Sequence, residues 1–290
     1  MQDLIKLYEN DGWKQNLGIV ASAESDGSLL LELPYIEKNL NRADGAIHGG
    51  VLASLMQDAG MLNTVIEYRA EPDQVRLIDA QVSYISGSAN ELLSTKVRFT
   101  RKAKTLAFVD VEVVTEDGRL VANSRLLFQI SKAGERTSTT IHDQPPEQIV
   151  PTNQPMHPLA ESLGSNTEAR QPGMSVVNLS AGLCQVQIEN ASQFRSFTGS
   201  VSAGAQLYIA DSCGVFGSFA LLGIPLQAAT IDFKMSFCED ACDEALVATG
   251  DCQVRRHDVF YNTIKVYGKE SRRLKAFGTL SFWAKLPEPS

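Results

Sequence analysis

The stretch Ala46-Ile47-His48-Gly49-Gly50-Val51-Leu52-Ala53-Ser54-Leu55-Met56-Gln57-Asp58-Ala59-Gly60 decides how this chain is read. A loop closes on two glycines and runs at once into an apolar-periodic segment that continues to about Tyr68. The pattern predicts a buried helix, with Leu52, Leu55, Met56, Leu62 and Ile66 on its covered side. Its first turn offers N–H groups without intrahelical partners and the positive end of the helix dipole, and the glycines let a ligand come close. A developing oxyanion could sit there.

Working outward, the same order of elements occurs twice. Gly27 and Gly182, 155 residues apart, each open a turn into an alternating strand. Val51 and Ala205, 154 apart, lie in the two long apolar segments, and Leu77 and Thr230, 153 apart, begin Leu-Ile-Asp and Thr-Ile-Asp strands. Three elements at nearly one offset indicate a duplicated unit. Strand-like runs follow each helix, at 77–86, 92–100, 106–115 and 120–130 in the first half and at 230–238, 245–254, 259–267 and 274–284 in the second. One long helix followed by an antiparallel meander is an α+β unit. The expected organisation is a first unit at 1–133, a linker at 134–173 rich in Pro, Thr, Ser, Asn and Gln, and a second unit at 174–290. Within the linker a short helix is expected near 158–163, and His142 and His157 read as solvated.

A strand, a central helix opened by His-Gly-Gly and a wrapping antiparallel sheet resemble the hotdog fold. The first half is similar to phenylacetyl-CoA-type hotdog thioesterases, in which the residue nine after the motif His is a catalytic carboxylate. Here that residue is Gln57, which cannot serve as a base. In the second half the motif place reads Ser202-Ala203-Gly204, and nine residues on stands Asp211. Each half carries what the other lacks. A carboxylate that deep in a helix lies about 12–13 Å along the axis from its own N-terminus, too far to serve it. In hotdog dimers the helices run antiparallel across a two-fold axis, so each carboxylate meets the partner's opening turn. The resemblance therefore implies two hotdog repeats paired as a pseudo-dimer, with one complete site from His48, Gly49, Gly50 and Asp211 and a silent mirror site from Ser202, Ala203, Gly204 and Gln57.

The segment Ala229-Thr230-Ile231-Asp232 also resembles the acyl-CoA thioesterase II family, a tandem hotdog whose working Asp and Thr lie in its second half. That family's Gln in the last strand has no counterpart in Thr279-Leu280-Ser281. The implied chemistry is thioester hydrolysis. Gly49 and Gly50 N–H groups would polarise the carbonyl, Asp211 would act as base or nucleophile, Thr230 would orient it or hold water, Asn41 would fix the water or the loop, and His48 would shape the loop. A solvent-turned carboxylate is the plain alternative for Asp211, and Asp58, one residue out of phase, is its competitor. Asp79 and Asp232 occur at equivalent places in both halves and are expected to serve the fold. A nucleophile elbow at Ser202 and a Cys213–His257 pair are weaker options, because the first lacks a required glycine and nothing brings the second together. A non-catalytic acyl-CoA-binding protein is the second function class, and a hotdog dehydratase or hydratase the third.

No metal or redox cofactor is expected; coenzyme A enters as part of the substrate. Its phosphates would find basic residues at two equivalent hairpins, Arg101, Lys102 and Lys104 in the first half and Arg255 and Arg256 in the second. The acyl group would lie along the seam between the helices, where Gly214, Gly217 and Ala220 leave space. A net charge of −8 without a Lys/Arg stripe argues against nucleic acid. Five cysteines without Cys-x-x-Cys spacing read as reduced structural thiols. The opening Met1-Gln2-Asp3-Leu4 has no signal-peptide character, and no apolar window of about 18 residues is evident, so a cytoplasmic protein without a membrane span is expected, assembling as an oligomer of double hotdogs.

Overall fold

The computed structural model describes residues 1–41, 45–131, 156–225, 227–239 and 243–285. In chain order the elements are α1 (Gln2–Glu9), α2 (Gly12–Leu17), β1 (Val20–Ala23), β2 (Leu29–Leu33), α3 (Gly49–Tyr68), β3 (Val75–Tyr84), β4 (Leu93–Lys102), β5 (Leu106–Thr115), β6 (Leu120–Ile130), α4 (Leu159–Arg170), β7 (Met174–Ser180), β8 (Leu183–Ile188), α5 (Ala203–Leu222), β9 (Ala228–Phe237), β10 (Leu246–Arg256), β11 (Val259–Gly268) and β12 (Leu274–Ala284). Each predicted helix and strand of the two halves is present, with ends shifted by a few residues at most. The predicted linker helix is longer than 158–163. Residues 132–155, with His142, lie outside the described residues.

The strands form one antiparallel sheet in the order β1-β2-β4-β5-β6-β3-β9-β12-β11-β10-β8-β7. Six strands wrap α3 and six wrap α5, as the resemblance to two hotdog repeats implies. The halves meet where β3 pairs with β9, and Gln81 stands opposite Lys234 at the middle of that pairing. Those two residues are 153 apart, the repeat offset, so the pseudo-two-fold axis passes between them. On either side the same bond is made twice: Ser83 Oγ donates to Asp232 Oδ2 at 3.1 Å and Ser236 Oγ to Asp79 Oδ2 at 2.8 Å. Asp79 and Asp232 thus tie the seam.

Apolar periodicity buries α3 as its sequence indicates: Leu52, Leu55, Met56 and Leu62 lie in the core and Ile66 packs at its edge. Burying one such side chain contributes roughly 1.5–3 kcal/mol. Asn63 fixes the helix to β2, its Oδ1 accepting from Leu29 N–H and its Nδ2 donating to Leu29 carbonyl, both at 2.9 Å. Helix α5 is long and apolar enough to cross a membrane by length and composition, where no such window was expected, but most of it is buried within the protein. Gly214 and Gly217 do not open the space expected along the seam. A Cβ at Gly214 would stand 2.9 Å from Ile264 Cδ1, and one at Gly217 2.9 Å from the Gly182 carbonyl. These glycines let the sheet approach the helix and leave no groove.

Helix α4 packs its Ala160 and Leu163 into the core beside β7. His157 is not simply solvated, since its Nδ1 accepts from the Leu159 N–H at 3.2 Å and caps the helix. By the repeat offset α4 corresponds to α1 and α2. Asn16, 155 residues before Gln171, donates from Nδ2 to Gln171 Oε1.

Candidate active site

Both central helices open alike. Before α3, His48 turns its ring back so that Nδ1 accepts from Gly50 N–H at 3.0 Å, and before α5, Ser202 Oγ accepts from Gly204 N–H at 3.1 Å. Such caps satisfy one of the first-turn donors. Because the helices run antiparallel, Gly50 lies against Tyr208 and Gly204 against Ser54, pairs that the repeat offset interchanges. From this common frame the two ends diverge.

At the first end, Asp211 reaches across from the third turn of α5 and is 2% exposed. Its Oδ2 accepts from Gly50 N–H at 3.0 Å and its Oδ1 from the Thr230 hydroxyl at 2.7 Å. Thr230 is aimed inward by a bulge in β9, where the pairing with β12 shifts between Ser281 and Phe282. The matching bulge in β3 lies between Leu77 and Asp79, so Leu77 occupies the same place without a hydroxyl. His48 Nδ1 stands 3.4 Å from Asp211 Oδ2. Burial lowers the His48 pKa; the Asp211 charge opposes this and the Arg170 charge adds to it, leaving a neutral ring at pH 7. With Nδ1 accepting from Gly50, the proton belongs on Nε2, which faces Ser212 Oγ at 3.3 Å.

Three aromatic and polar neighbours complete this end, and the sequence alone did not single them out. The Tyr84 hydroxyl donates to Gly49 carbonyl at 2.9 Å, and burial, reinforced by Asp211 and Asp232, pushes its pKa well above the usual value. Tyr208 stacks on His48 with ring centroids 4.5 Å apart. Ser212 holds the far nitrogen of the imidazole. The signal available was asymmetry between the halves: Tyr84 matches Phe237 and Ser212 matches Asp58. A Cβ on Gly49 would meet Asp211 Oδ2 at 3.1 Å and the Tyr84 hydroxyl at 3.3 Å, so the glycine lies between carboxylate and phenol. Among the described residues no acceptor takes the Gly49 N–H. Gly50 N–H is engaged by Asp211 and His48, which separates the roles expected of the two glycines.

At the second end the corresponding space is filled by protein. Trp13 of α2 is fully buried, donates from Nε1 to Ser54 Oγ at 3.1 Å and packs against Phe194 and Tyr208. Its Nε1 lies 2.9 Å from where a Cβ on Gly204 would stand, at the opening turn of α5. Ser202 and Ser54, smaller than the His48 and Tyr208 they match, make the room. Gln57 is buried with its Oε1 unpartnered. Asp58 accepts from the Tyr8 hydroxyl at 2.6 Å on this filled side and does not reach the Gly50 turn. Burial raises its pKa well above the usual carboxylate range, with Asp11 reinforcing the shift.

Other expected contributors are not gathered at the first end. Asn41 shapes the turn before α3 through its backbone, its N–H donating to Ala46 carbonyl at 2.6 Å; its side chain makes no hydrogen bond to Asp211. Arg101 and Lys102 lie on the β4–β5 hairpin, where Lys102 Nζ bonds Glu67 Oε1 at 2.8 Å near the C-terminal end of α3. Seventeen helical residues, about 26 Å, separate Glu67 from Gly50, so this hairpin, with the exposed Lys104, stands far from the site. Arg255 and Arg256 are exposed on the β10–β11 hairpin, Arg255 bonding His257 carbonyl at 3.1 Å. Cys213 is buried, its thiol 3.0 Å from Cys184 carbonyl, while His257 sits exposed at the hairpin tip, so no Cys–His pair forms.

Comparison with known proteins agrees with this arrangement. The profile of the thioesterase superfamily matches residues 44–122, the segment from the loop before α3 through β5 into β6. A protein of Halobacterium salinarum, provisionally named an esterase, is 33% identical over 117 residues, spanning 39% of this chain and 76% of its own. Another from Thermoplasma acidophilum, also provisionally named an esterase, is 27% identical over 129 residues, covering 44% of this chain and 96% of its own. Among solved structures, an acyl-CoA thioesterase II from Mycobacterium marinum superposes with a TM-score of 0.62 at 14% identity, covering 96% of this chain and 98% of the other. A tesB protein from Mycobacterium avium subspecies paratuberculosis gives 0.63 at 11%, covering 93% and 97%. The archaeal relatives correspond in size to one half and the solved structures to both, which is what duplication of a single hotdog requires, and the chain belongs to the thioesterase superfamily as a double-hotdog member.

Proposed function

We propose that the chain is an acyl-CoA thioesterase with one working site, built across the two halves from the His48-Gly49-Gly50 turn, Asp211 and Thr230. The observation that carries this reading is the Asp211 carboxylate: two donors from different halves hold it against the opening turn of α3, and the equivalent Gln57 has no such setting. The thioester oxygen is placed at the Gly49 N–H, where the helix dipole and the unspent donor favour developing negative charge. Asp211, its orientation fixed by Gly50 and Thr230, takes a proton from water as the oxygen attacks the carbonyl carbon. The tetrahedral intermediate then breaks its C–S bond, and the departing thiolate receives that proton from Asp211. Direct attack by the carboxylate, with water hydrolysing the resulting anhydride, uses the same geometry.

The test is free-thiol release from a panel of acyl-CoAs by the purified protein and by Asp211→Asn. Turnover in the wild type, reduced at least about 10²-fold in kcat by the substitution with the fold intact, supports the proposal. Binding without thiol release would identify a non-catalytic acyl-CoA binder instead. Loss of enoyl absorbance without thiol would identify a hydratase.

A further inference from the structure

Helix α4 brings a cation to the rim of the site. Arg170 Nη1 donates to the Leu40 carbonyl, and Leu40 is bridged to Ile47, the residue before His48. The next residue, Gln171, is fully buried, its side-chain amide acting on the Tyr208 hydroxyl, and Tyr208 stacks on His48. Arg170 is half-buried, and its charge acts on both rings, adding to the fall that burial gives the His48 pKa and opposing the rise that burial gives Tyr208. Arg98, Arg119, Arg195 and Arg273 each pair with a carboxylate, whereas among the described residues none pairs with Arg170. Withdrawing a guanidinium from water is costly unless an anion compensates it. At the matching place in the other half, 155 residues earlier, stands the uncharged Gln15, so the cation serves the intact end alone.

We propose that Arg170 receives a carboxylate carried on the acyl group, which makes dicarboxylic acyl-CoAs the preferred substrate class. The inference rests on the thioesterase reading and specifies its substrate. A planar guanidinium fork matches a carboxylate by two parallel hydrogen bonds. The phosphates of coenzyme A are the other anions of such a substrate, but the whole pantetheine arm separates them from the thioester. Arg170 instead is held at the Leu40 carbonyl, on the bridge that leads into His48, at the end of the molecule where Asp211 meets the opening turn of α3.

The experiment compares kcat/KM for succinyl-CoA and butyryl-CoA, whose acyl groups are of equal length and differ in the terminal carboxylate. The wild type is expected to favour succinyl-CoA, and Arg170→Gln to lower the succinyl-to-butyryl ratio about 10²-fold, the scale of one buried charge-assisted contact. Arg170→Lys keeps the charge and should retain part of the preference, which covers the case in which the Gln variant folds poorly. Arg170→Glu should shift preference toward β-alanyl-CoA, which carries an ammonium. A ratio unmoved by Arg170→Gln overturns the proposal. So does an equal loss for both CoA esters that is absent with N-acetylcysteamine thioesters, which would assign Arg170 to a phosphate. If no ester releases thiol, the thioesterase reading has failed, and calorimetric Kd values for succinyl-CoA and butyryl-CoA with wild type and Arg170→Gln decide the proposal separately.

Discussion

Asp211 is held by two hydrogen bonds of different kinds, and they should separate in kinetics. Thr230→Val removes the hydroxyl on Oδ1 and leaves the Gly50 N–H on Oδ2. It is expected to lower kcat about 10-fold while Asp211→Asn lowers it at least about 10²-fold, both measured by thiol release with KM followed alongside. Tyr84→Phe frees the Gly49 carbonyl and should cut kcat without loss of stability beyond about 1 kcal/mol, read from thermal unfolding. Gly50→Ala is a different kind of change: its Cβ would stand 2.6 Å from Tyr208 Cα, so helix contact itself fails and Tm should drop. Asp211 and the His48 turn were legible in the sequence because the resemblance marks the ninth residue after the motif and helical rise shows that such a residue serves the other half's turn. Tyr84, Ser212 and Arg170 were not, since their approach depends on which strand face and which linker helix close over the turn.

The N-terminal helices act as a filler for the second end, a task that no periodicity in residues 2–17 announces. Trp13 makes the difference: Trp13→Ala should cost about 3–5 kcal/mol, seen as a lower denaturant midpoint, because the cavity at Gly204 cannot close. The same filler contains two buried acids. Asp11 is pushed up to about 6 by burial, although Lys14 and Phe197 N–H groups oppose the shift, and burial with the Asp11 charge raises Asp58 well above the usual carboxylate range against the hydrogen bond from Tyr8. Their folded pKa values exceed those of the unfolded chain, so the protonated groups add stability that is complete below about pH 4 and fades as pH rises through about 6 and beyond. Tm is therefore expected to fall between pH 5 and pH 8 in the wild type, on the order of the pKa change involved, and to fall less in Asp58→Asn. A Tm that rises over this interval in both proteins would contradict the assignment. The strands themselves were easier to read than these helices, since alternation against a core marks each strand, whereas α1 and α2 are short and take their meaning from the partner half.

For the whole molecule, duplication was legible from a nearly constant offset, while the filling of one end was not, because it requires knowing what packs over each helix start. That filling bears on revival of the silent end. Gln57→Asp, Ser202→His, Ala203→Gly and Leu77→Thr, made together in an Asp211→Asn background, restore the matching groups but leave Trp13 over the opening turn of α5. Thiol release should stay at background until Trp13→Ala is added, and then reappear only in part; recovery with Trp13 in place would show that the indole does not obstruct that end. The seam between the halves carries a further consequence. In a true homodimer any residue on the two-fold axis must tolerate its own image, whereas here Gln81 faces Lys234. A second half paired with another second half would set Lys234 against Lys234, a like-charge contact across neighbouring strands. Joining two copies in one polypeptide lifts the demand for self-complementarity, so that a lysine can stand on the axis in the second half without ever meeting its own image.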